Sequence, residues 1–226
     1  MYIGQIMRTN LVTVLPEASL VEARDLITEH RIEHLLIVDR QGLLVGVVSD
    51  RDVKLNWASP ATSLSIHELN YLLQKVEVGM IMVKTVITVA PDTTIERAAY
   101  IMQTHKISSL PVMQGSKLVG IVTRTDVMAV LLQAIGMSDE SVRLGVLVDD
   151  RPGRLAAVTT ILKEQGINIQ SFFCWPVPQY PNVSHLVIRV DRQEGDKAVT
   201  ALEAEGFKVL RRYERDLQPF LPSAEL

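Results

Sequence analysis

The chain contains almost no cysteine: a single one, Cys174, occurs in 226 residues. One thiol can neither close an internal disulfide nor supply a cysteine metal cluster, which is typical of a protein from a reducing compartment. Long apolar runs are missing too, because no stretch approaches 18 consecutive apolar residues. Residues 1–10 lack a basic segment followed by an apolar one, so we expect a cytoplasmic protein without a membrane span.

Excess charge and catalytic motifs are scarce as well. Twenty-three basic and 26 acidic residues give a net charge of −3, which excludes the basic footprint of a general nucleic-acid-binding protein. The five histidines form no His-Glu-x-x-His or other metal-binding spacing, and neither a Gly-x-Ser-x-Gly elbow nor a Walker sequence occurs. Cys174 lies between two aromatic residues in a predicted strand, which favours a packed side chain over a nucleophile. We therefore predict no catalytic residue, metal site or cofactor.

The most informative feature that the sequence does contain is an internal repeat. The segment Gly4–Met7 recurs as Gly79–Met82, at an offset of 75, and Leu44–Gly46 recurs as Leu118–Gly120, at an offset of 74. Of 46 aligned positions, 16 are identical, whereas unrelated segments of average composition share roughly 3. Two copies are too few for a solenoid, so we expect a pair of similar units that pack against each other.

Both copies predict the same order of elements: strand, helix, strand, hairpin strand, helix. Ser19 with Glu22, and Thr93 with Glu96, have the spacing of a capping box at a helix start. Apolar runs separated by turn residues predict the hairpin strands at 35–38 and 43–49 in the first copy, and at 110–113 and 118–123 in the second. The joining segment repeats the capping signal at Ser65, which predicts a helix there as well.

One motif occurs in both copies and carries a family resemblance. Gly46–Asp52 and Gly120–Asp126 both fit glycine, two apolar residues, serine or threonine, two variable residues and aspartate. Together with the sequence of 107–112, this resembles a tandem pair of CBS domains. The resemblance implies a first CBS domain at 1–58, a connecting helix at 59–78 and a second CBS domain at 79–133. It further implies a two-fold disc whose clefts bind adenosine-containing ligands such as AMP, ADP, ATP or S-adenosylmethionine.

The side chains of the motif suit such a ligand. A carboxylate accepts both hydroxyls of a ribose, the role that suits Asp52 and Asp126, and a hydroxyl at a strand end can donate to a phosphate, as Ser49 and Thr123 could. An alternative remains open, because the same residues can simply cap the helix that follows.

By the arrangement of the family, each cleft combines the motif of one copy with the early strand and apolar run of the other. The expected first cleft contains Val47, Ser49, Arg51, Asp52, Thr88, Ser109 and Pro111. The expected second cleft contains Thr13, Leu35, Leu36, Ile121, Thr123, Arg124 and Asp126. The second departs from the pattern of the family, since Leu36 replaces Pro111 and His34 replaces Ser109.

The last third of the chain follows a different pattern. Strands are predicted at 141–148, 167–175, 183–190 and 207–213, with helices opened by Asp149–Leu155 and running over 196–205. The order βαββαβ is a ferredoxin-like sandwich, with proline near the first position of the first helix. The motif Asp150–Leu155, followed by Gly166–Ile169, resembles an ACT domain at 142–213, after a linker at 134–141 and before a tail at 214–226. The chain is thus predicted to be an α+β protein.

The ACT resemblance implies an amino-acid sensor that pairs sheets between subunits. The resemblance implies that the ligand loop of this domain consists of Asp150, Arg151, Pro152 and Gly153, with Asn168 facing them. Proline and glycine are also typical of a strand-to-helix turn that binds no ligand, and many ACT-like modules merely dimerise. Amino-acid binding and a purely structural role therefore both remain open.

The whole domain order resembles the bacterial acetoin-utilisation AcuB-like family, whose members have regulatory roles in carbon metabolism. We expect a non-catalytic regulatory homodimer that binds an adenine nucleotide, and possible ligands include an amino acid. It would act on an unidentified protein target, without nucleic acid or membrane partners. The alternative is a structural dimerisation subunit with empty clefts.

Overall fold

The computed structural model describes residues 1–57 and 65–222, and their contacts divide the chain into two compact units, Met1–Met128 and Ala129–Leu226. The first unit contains both copies of the repeat. The second contains the predicted ferredoxin-like sandwich. Helices and strands are both well represented, which confirms the α+β class.

The first copy of the repeat forms a three-stranded sheet in the order β1-β2-β3. Its elements are β1 (Thr13–Val14), α1 (Leu20–His30), β2 (His34–Val38), β3 (Leu44–Ser49) and α2 (Asp50–Leu55). The hydroxyl of Ser19 accepts the Glu22 amide at 3.1 Å, which begins α1 as predicted. Buried side chains of α1 and of the sheet, among them Leu20 and Ile37, form the core of this copy.

The connecting segment contains two helices, α3 (Ile66–Leu73) and α4 (Val78–Ile81). The predicted capping box is confirmed, because Ser65 Oγ accepts the Glu68 amide while the Glu68 carboxylate accepts the Ser65 amide at 2.9 Å. The predicted connecting helix at 59–78 is therefore helical over Ile66–Leu73. Its residues 59–64 lie outside the described part of the chain.

The second copy repeats the architecture with two corrections. The strand predicted at its start is reduced to a single bridge between Val89 and Val112, so the described residues of this copy form a sheet of two strands. Its elements are α5 (Ile95–His105), β4 (Ser109–Gln114), β5 (Lys117–Thr123) and α6 (Arg124–Ala134). The predicted capping box at Thr93 and Glu96 is wrong by one residue: Thr94 caps α5 by accepting the Arg97 amide at 3.2 Å. Thr93 is used earlier, because its hydroxyl accepts the Ala90 amide in the turn that precedes the helix.

The two copies exchange their N-terminal segments. The Gly4 amide donates to the Pro91 carbonyl at 2.8 Å, and the equivalent Gly79 amide donates to the Pro16 carbonyl at 2.9 Å. Both contacts favour glycine, because a Cβ on Gly79 would lie 3.0 Å from the Pro16 oxygen and one on Gly4 would lie 3.1 Å from that of Pro91, which is tighter than an ordinary contact. Each copy is therefore completed by backbone that precedes the other, which gives the unit its pseudo-two-fold symmetry.

The second unit is a four-stranded antiparallel sheet in the order β7-β8-β6-β9, which is the ferredoxin-like order 4-1-3-2. Its elements are β6 (Ser141–Asp149), α7 (Arg154–Glu164), β7 (Ser171–Pro176), β8 (Val183–Asp191), α8 (Gly195–Ala204) and β9 (Val209–Leu210). Alternate residues of β6 and β8, including Leu144 and Ile188, pack with Val158 and Leu162 of α7 in one core.

Three predicted bounds in this unit need correction. The strand predicted from Ile167 begins at Ser171, because Ile167 packs into the core before the chain becomes extended. The last strand spans Val209–Leu210 instead of 207–213, since only these residues pair with β6. Helix α7 begins after Gly153, at φ +92°, so the proline lies outside its first turn.

The prediction of a packed Cys174 is also wrong, because its side chain is exposed. Strand β7 is an edge strand that pairs with β8 alone, and its two most exposed aromatic residues are Phe172 and Trp175, at 53% and 62%. The position of a strand within a sheet is set by topology, so an apolar run alone could not show that this strand lies at the edge.

Candidate functional site

A cleft of about 470 Å³ lies in the first unit, where the strand ends of both copies meet. It is lined from the first copy by Glu33, His34, Val47, Ser49, Asp50, Arg51 and Asp52. It is lined from the second copy by Val83, Thr85, Val86, Ile87, Lys106, Ile107, Ser108, Ser109 and Pro111. Six of the seven residues expected in the first cleft thus lie together, whereas Thr88 is not part of this lining and Thr85–Ile87 take its place.

The motif of the first copy forms a closed hydrogen-bond ring at the cleft wall. Oδ2 of Asp52 accepts the Ser49 amide at 2.8 Å and the Ser49 hydroxyl at 2.6 Å, while Ser49 Oγ accepts the Asp52 amide at 3.2 Å. The capping interpretation of these residues is therefore confirmed. Within the described residues, Oδ1 of Asp52 has no hydrogen-bond partner, so one acceptor oxygen of the carboxylate remains for a ligand.

His34 connects the two copies across the cleft. Its Nε2 lies 2.9 Å from the Ser108 hydroxyl, 74 residues further along the chain. Burial lowers the pKa of His34, although the nearby carboxylates of Glu33 and Asp52 act in the opposite direction. The imidazole is therefore neutral at pH 7. Sequence reasoning assigned His34 to the second cleft, and only the fold could place it in the first.

Charges of both signs line the cleft. Arg51 and Lys106 are the cations, and Glu33, Asp50 and Asp52 are the carboxylates. The carboxylate of Asp50 is already paired with Lys54 of the same helix at 2.5 Å. The arrangement offers two cations to anionic groups and two carboxylates, those of Glu33 and Asp52, to hydroxyl donors.

The equivalent motif of the second copy has the same ring and an additional partner. Oδ2 of Asp126 accepts the Thr123 amide at 2.9 Å and the Thr123 hydroxyl at 2.6 Å, whereas Oδ1 accepts the Arg8 guanidinium at 2.9 Å. Partial burial acts to raise the pKa of Asp126, but the hydrogen bonds from Thr123 and Arg8 outweigh it and hold the pKa below its usual value.

The other residues expected in the second cleft lie in different surroundings. Leu35 is part of the core of the first copy, and Leu36 is buried beside it in β2. Thr13 is exposed at the start of β1, and Ile121 pairs its backbone with Arg8. The guanidinium of Arg124 donates to the Ile107 carbonyl at 2.9 Å.

The loop expected to bind an amino acid is an exposed turn between β6 and α7. The Asp150 amide donates to the Asn182 carbonyl at 2.8 Å, and Arg151 forms an ion pair with Asp149 at 3.5 Å. Gly153 occupies the helix cap at positive φ, which a ligand-free turn requires as much as a binding loop does. Asn168 is exposed beyond the end of α7, and Pro152 is exposed within the turn.

Comparison with known families follows the division into units. The CBS domain family model matches residues 3–56 and 78–133, and the ACT domain model matches residues 142–207. Both matches cover the segments in which the repeat and the βαββαβ order are found. The chain contains a tandem pair of CBS domains. Its CBS pair is followed by an ACT domain, which confirms the domain order expected from the motifs.

Relatives of the CBS pair occur in proteins of different kinds. The pair is 38% identical to inosine-5'-monophosphate dehydrogenase from Korarchaeum cryptofilum over 61% of this chain, which spans only 26% of that enzyme. It is 34% identical to CBSX2, whose structure was solved in complex with AMP, over 58% of this chain and 96% of that one, with a TM-score of 0.47. A protein assigned to acetoin utilisation, AcuB from Vibrio cholerae, is 29% identical over 59% of this chain and 91% of its own, with a TM-score of 0.48.

Across residues 1–57 and 65–222, histidine, cysteine, aspartate and glutamate nowhere form a group of three that could hold a metal ion. None of the helices in the same residues has the length and apolar character needed to cross a membrane.

Proposed function

We propose that this protein is a non-catalytic regulator that binds an adenine nucleotide, AMP, ADP or ATP, in the cleft between its two CBS domains. The observation that carries the proposal is the carboxylate of Asp52 in the cleft wall, which is fixed by Ser49 through one oxygen while the other has no partner among the described residues. A ribose offers two hydroxyl donors, and a carboxylate held in this way is a matching acceptor.

The remainder of the cleft suits the other parts of a nucleotide. Arg51 and Lys106 supply positive charge for phosphate groups, and Val47, Ile87 and Pro111 supply apolar surface for a base. The volume of about 470 Å³ is in the range of small-molecule sites.

Regulation follows from the position of the cleft between the two copies. His34 and Ser108 already bridge them, so a nucleotide bound there contacts both copies and favours the arrangement that it fits best. We propose that this shift is read by a protein target in carbon metabolism, a role that the AcuB-like domain order supports, and that the chain acts as a cytoplasmic homodimer. The affinity difference between the two arrangements limits the size of the response.

Substitution of Asp52 tests the site. Asp52→Ala removes a charged hydrogen-bond acceptor worth roughly 1.5 to 3 kcal/mol, so affinity for AMP, ADP or ATP should fall about 10- to 150-fold in calorimetry. Asp126→Ala is the matched control, because it breaks the same capping ring in the other copy and leaves the first cleft intact. Equal losses in both variants, or unchanged affinity in the double variant, would place the nucleotide elsewhere.

Amino-acid binding by the ACT domain is a second candidate function. It is favoured by the start of α7, where Gly153 provides no side-chain acceptor and leaves the first helix amides available to a carboxylate. A thermal shift of the protein with one of the twenty amino acids, abolished in Asp150→Ala but not in Asp52→Ala, would support it. No shift with any of them would leave the ACT domain a structural dimerisation module.

A further inference from the structure

The pseudo-symmetry of the CBS pair places two different side chains at one equivalent position. The backbone of Arg8 pairs with Ile121, through N–H to O distances of 2.9 and 3.0 Å. The backbone of Val83 pairs with Val47 in the same way, at 3.2 and 3.0 Å. Arg8 and Val83 are 75 residues apart, which is the offset of the repeat, so the comparison is between identical backbone environments.

The side chain at this position decides whether Oδ1 of the motif aspartate has a hydrogen-bond partner. In the second motif the guanidinium of Arg8 donates to Oδ1 of Asp126 at 2.9 Å. In the first motif Val83 cannot donate, and Oδ1 of Asp52 has no partner among the described residues. The rings that hold the two carboxylates are otherwise the same.

The ion pair is placed where it competes with a ligand. The Asp126 side chain is only 16% exposed, whereas that of Arg8 is 56% exposed, so the guanidinium covers the carboxylate from the solvent side. A ribose hydroxyl that approached Asp126 would have to displace the positively charged guanidinium of Arg8, and a neutral hydroxyl does not replace that attraction between opposite charges.

We propose that Arg8 determines which of the two motifs binds nucleotide: by occupying the free oxygen of Asp126, it keeps a ribose from the second motif, so each chain binds one nucleotide, in the cleft beside Asp52. This inference rests on the proposed function and adds to it the stoichiometry and the residue that sets it. Val83 is the permissive residue at the equivalent position, and the two can be exchanged experimentally.

Calorimetry with AMP on exchanged variants tests the proposal. Arg8→Val should raise the number of sites per chain from one to two. Val83→Arg should place a guanidinium next to Asp52 and weaken binding in the first cleft about 10-fold or more beyond the effect of Val83→Met, which adds length without charge. Arg40→Val removes an exposed arginine from an ion pair with Glu17 elsewhere in the unit, and it should leave the stoichiometry at one.

The outcomes separate this inference from the function on which it rests. Two sites in the unmodified protein, one site in Arg8→Val, or equal affinities of Val83→Arg and Val83→Met would each overturn the role of Arg8 while leaving nucleotide binding intact. Absence of binding in the unmodified protein would instead overturn the proposed function, and the inference with it. Circular dichroism of each variant establishes that it is folded before the titration is interpreted.

Discussion

At the scale of single residues, Asp52 uses one carboxylate oxygen for a structural role and leaves the other for the binding role that we propose. Oδ2 of Asp52 completes the helix cap, and Oδ1 remains available. From the sequence, capping and ligand binding were competing interpretations of the same spacing. The structure shows that one does not exclude the other. The contact that distinguishes the two motifs, between Arg8 and Asp126, joins residues 118 positions apart, so no local pattern could reveal it.

His34 provides a prediction at this scale. Burial keeps the pKa of His34 below its ordinary value of 6.5, so the folded state binds a proton less readily than the unfolded state. The contribution of neutral His34 to the free energy of unfolding is therefore fully present above pH 6.5. It is lost as the pH falls through the pKa that His34 has in the folded state. In urea denaturation, the free energy of unfolding of the CBS pair should decrease between pH 7.5 and 5.5.

His34→Gln is the matching variant, because an amide can still bond to Ser108 but does not titrate in this range. It should reduce the pH dependence. His185 of the ACT domain, whose pKa is lowered by burial and by Arg143, stays in place and accounts for a remaining slope. An unchanged slope in His34→Gln would show that His34 is not the group responsible.

At the scale of helices and strands, the sequence predicted those elements whose signals are local. Both hairpins follow from apolar runs interrupted by turn residues, such as Gly115 at φ +63°. The start of α5 was missed because two threonines are adjacent there, and the chain turns at Thr93 before the helix begins at its neighbour. Strand bounds in the ACT domain were predicted too long, since pairing partners, and not composition, decide where β7 and β9 begin and end.

The two threonines give a direct test of the helix start. Thr94→Ala removes the side-chain acceptor of the N-cap and should lower the free energy of unfolding by about 1 kcal/mol. Thr93→Ala removes an exposed turn contact and should cost only a few tenths of a kcal/mol. Chemical denaturation measures both. The reverse ranking would restore Thr93 as the capping residue.

At the scale of the whole molecule, the chain combines a CBS pair with an ACT domain, and the order of the two was predictable from motifs. The exchange of N-terminal segments was not, because it depends on contacts such as Gly4 with Pro91, far apart in the sequence. The repeat suggested only that two similar units pack together.

The exposed edge of the ACT sheet predicts self-association. Strand β7 offers unpaired backbone groups beside Phe172 and Trp175, and pairing with a second copy would satisfy them. Light scattering should give twice the chain mass of 25.2 kDa. Trp175→Lys should weaken the dimer, whereas Tyr213→Lys, which replaces an aromatic residue that is 86% exposed outside this edge, should not. A monomer in the unmodified protein at micromolar concentration would contradict the prediction.

The exchanged segments have a consequence for dissecting the molecule. If the chain is cut between the repeats, the first fragment carries Gly4, which bonds to Pro91 of the second. The second fragment carries Gly79, which bonds to Pro16 of the first. Each fragment thus lacks the segment that completes its own copy. Neither fragment can satisfy the carbonyls of Pro16 or Pro91 alone. The two halves should therefore behave as a complementation pair, insoluble or self-swapped when expressed singly and reconstituted when expressed together.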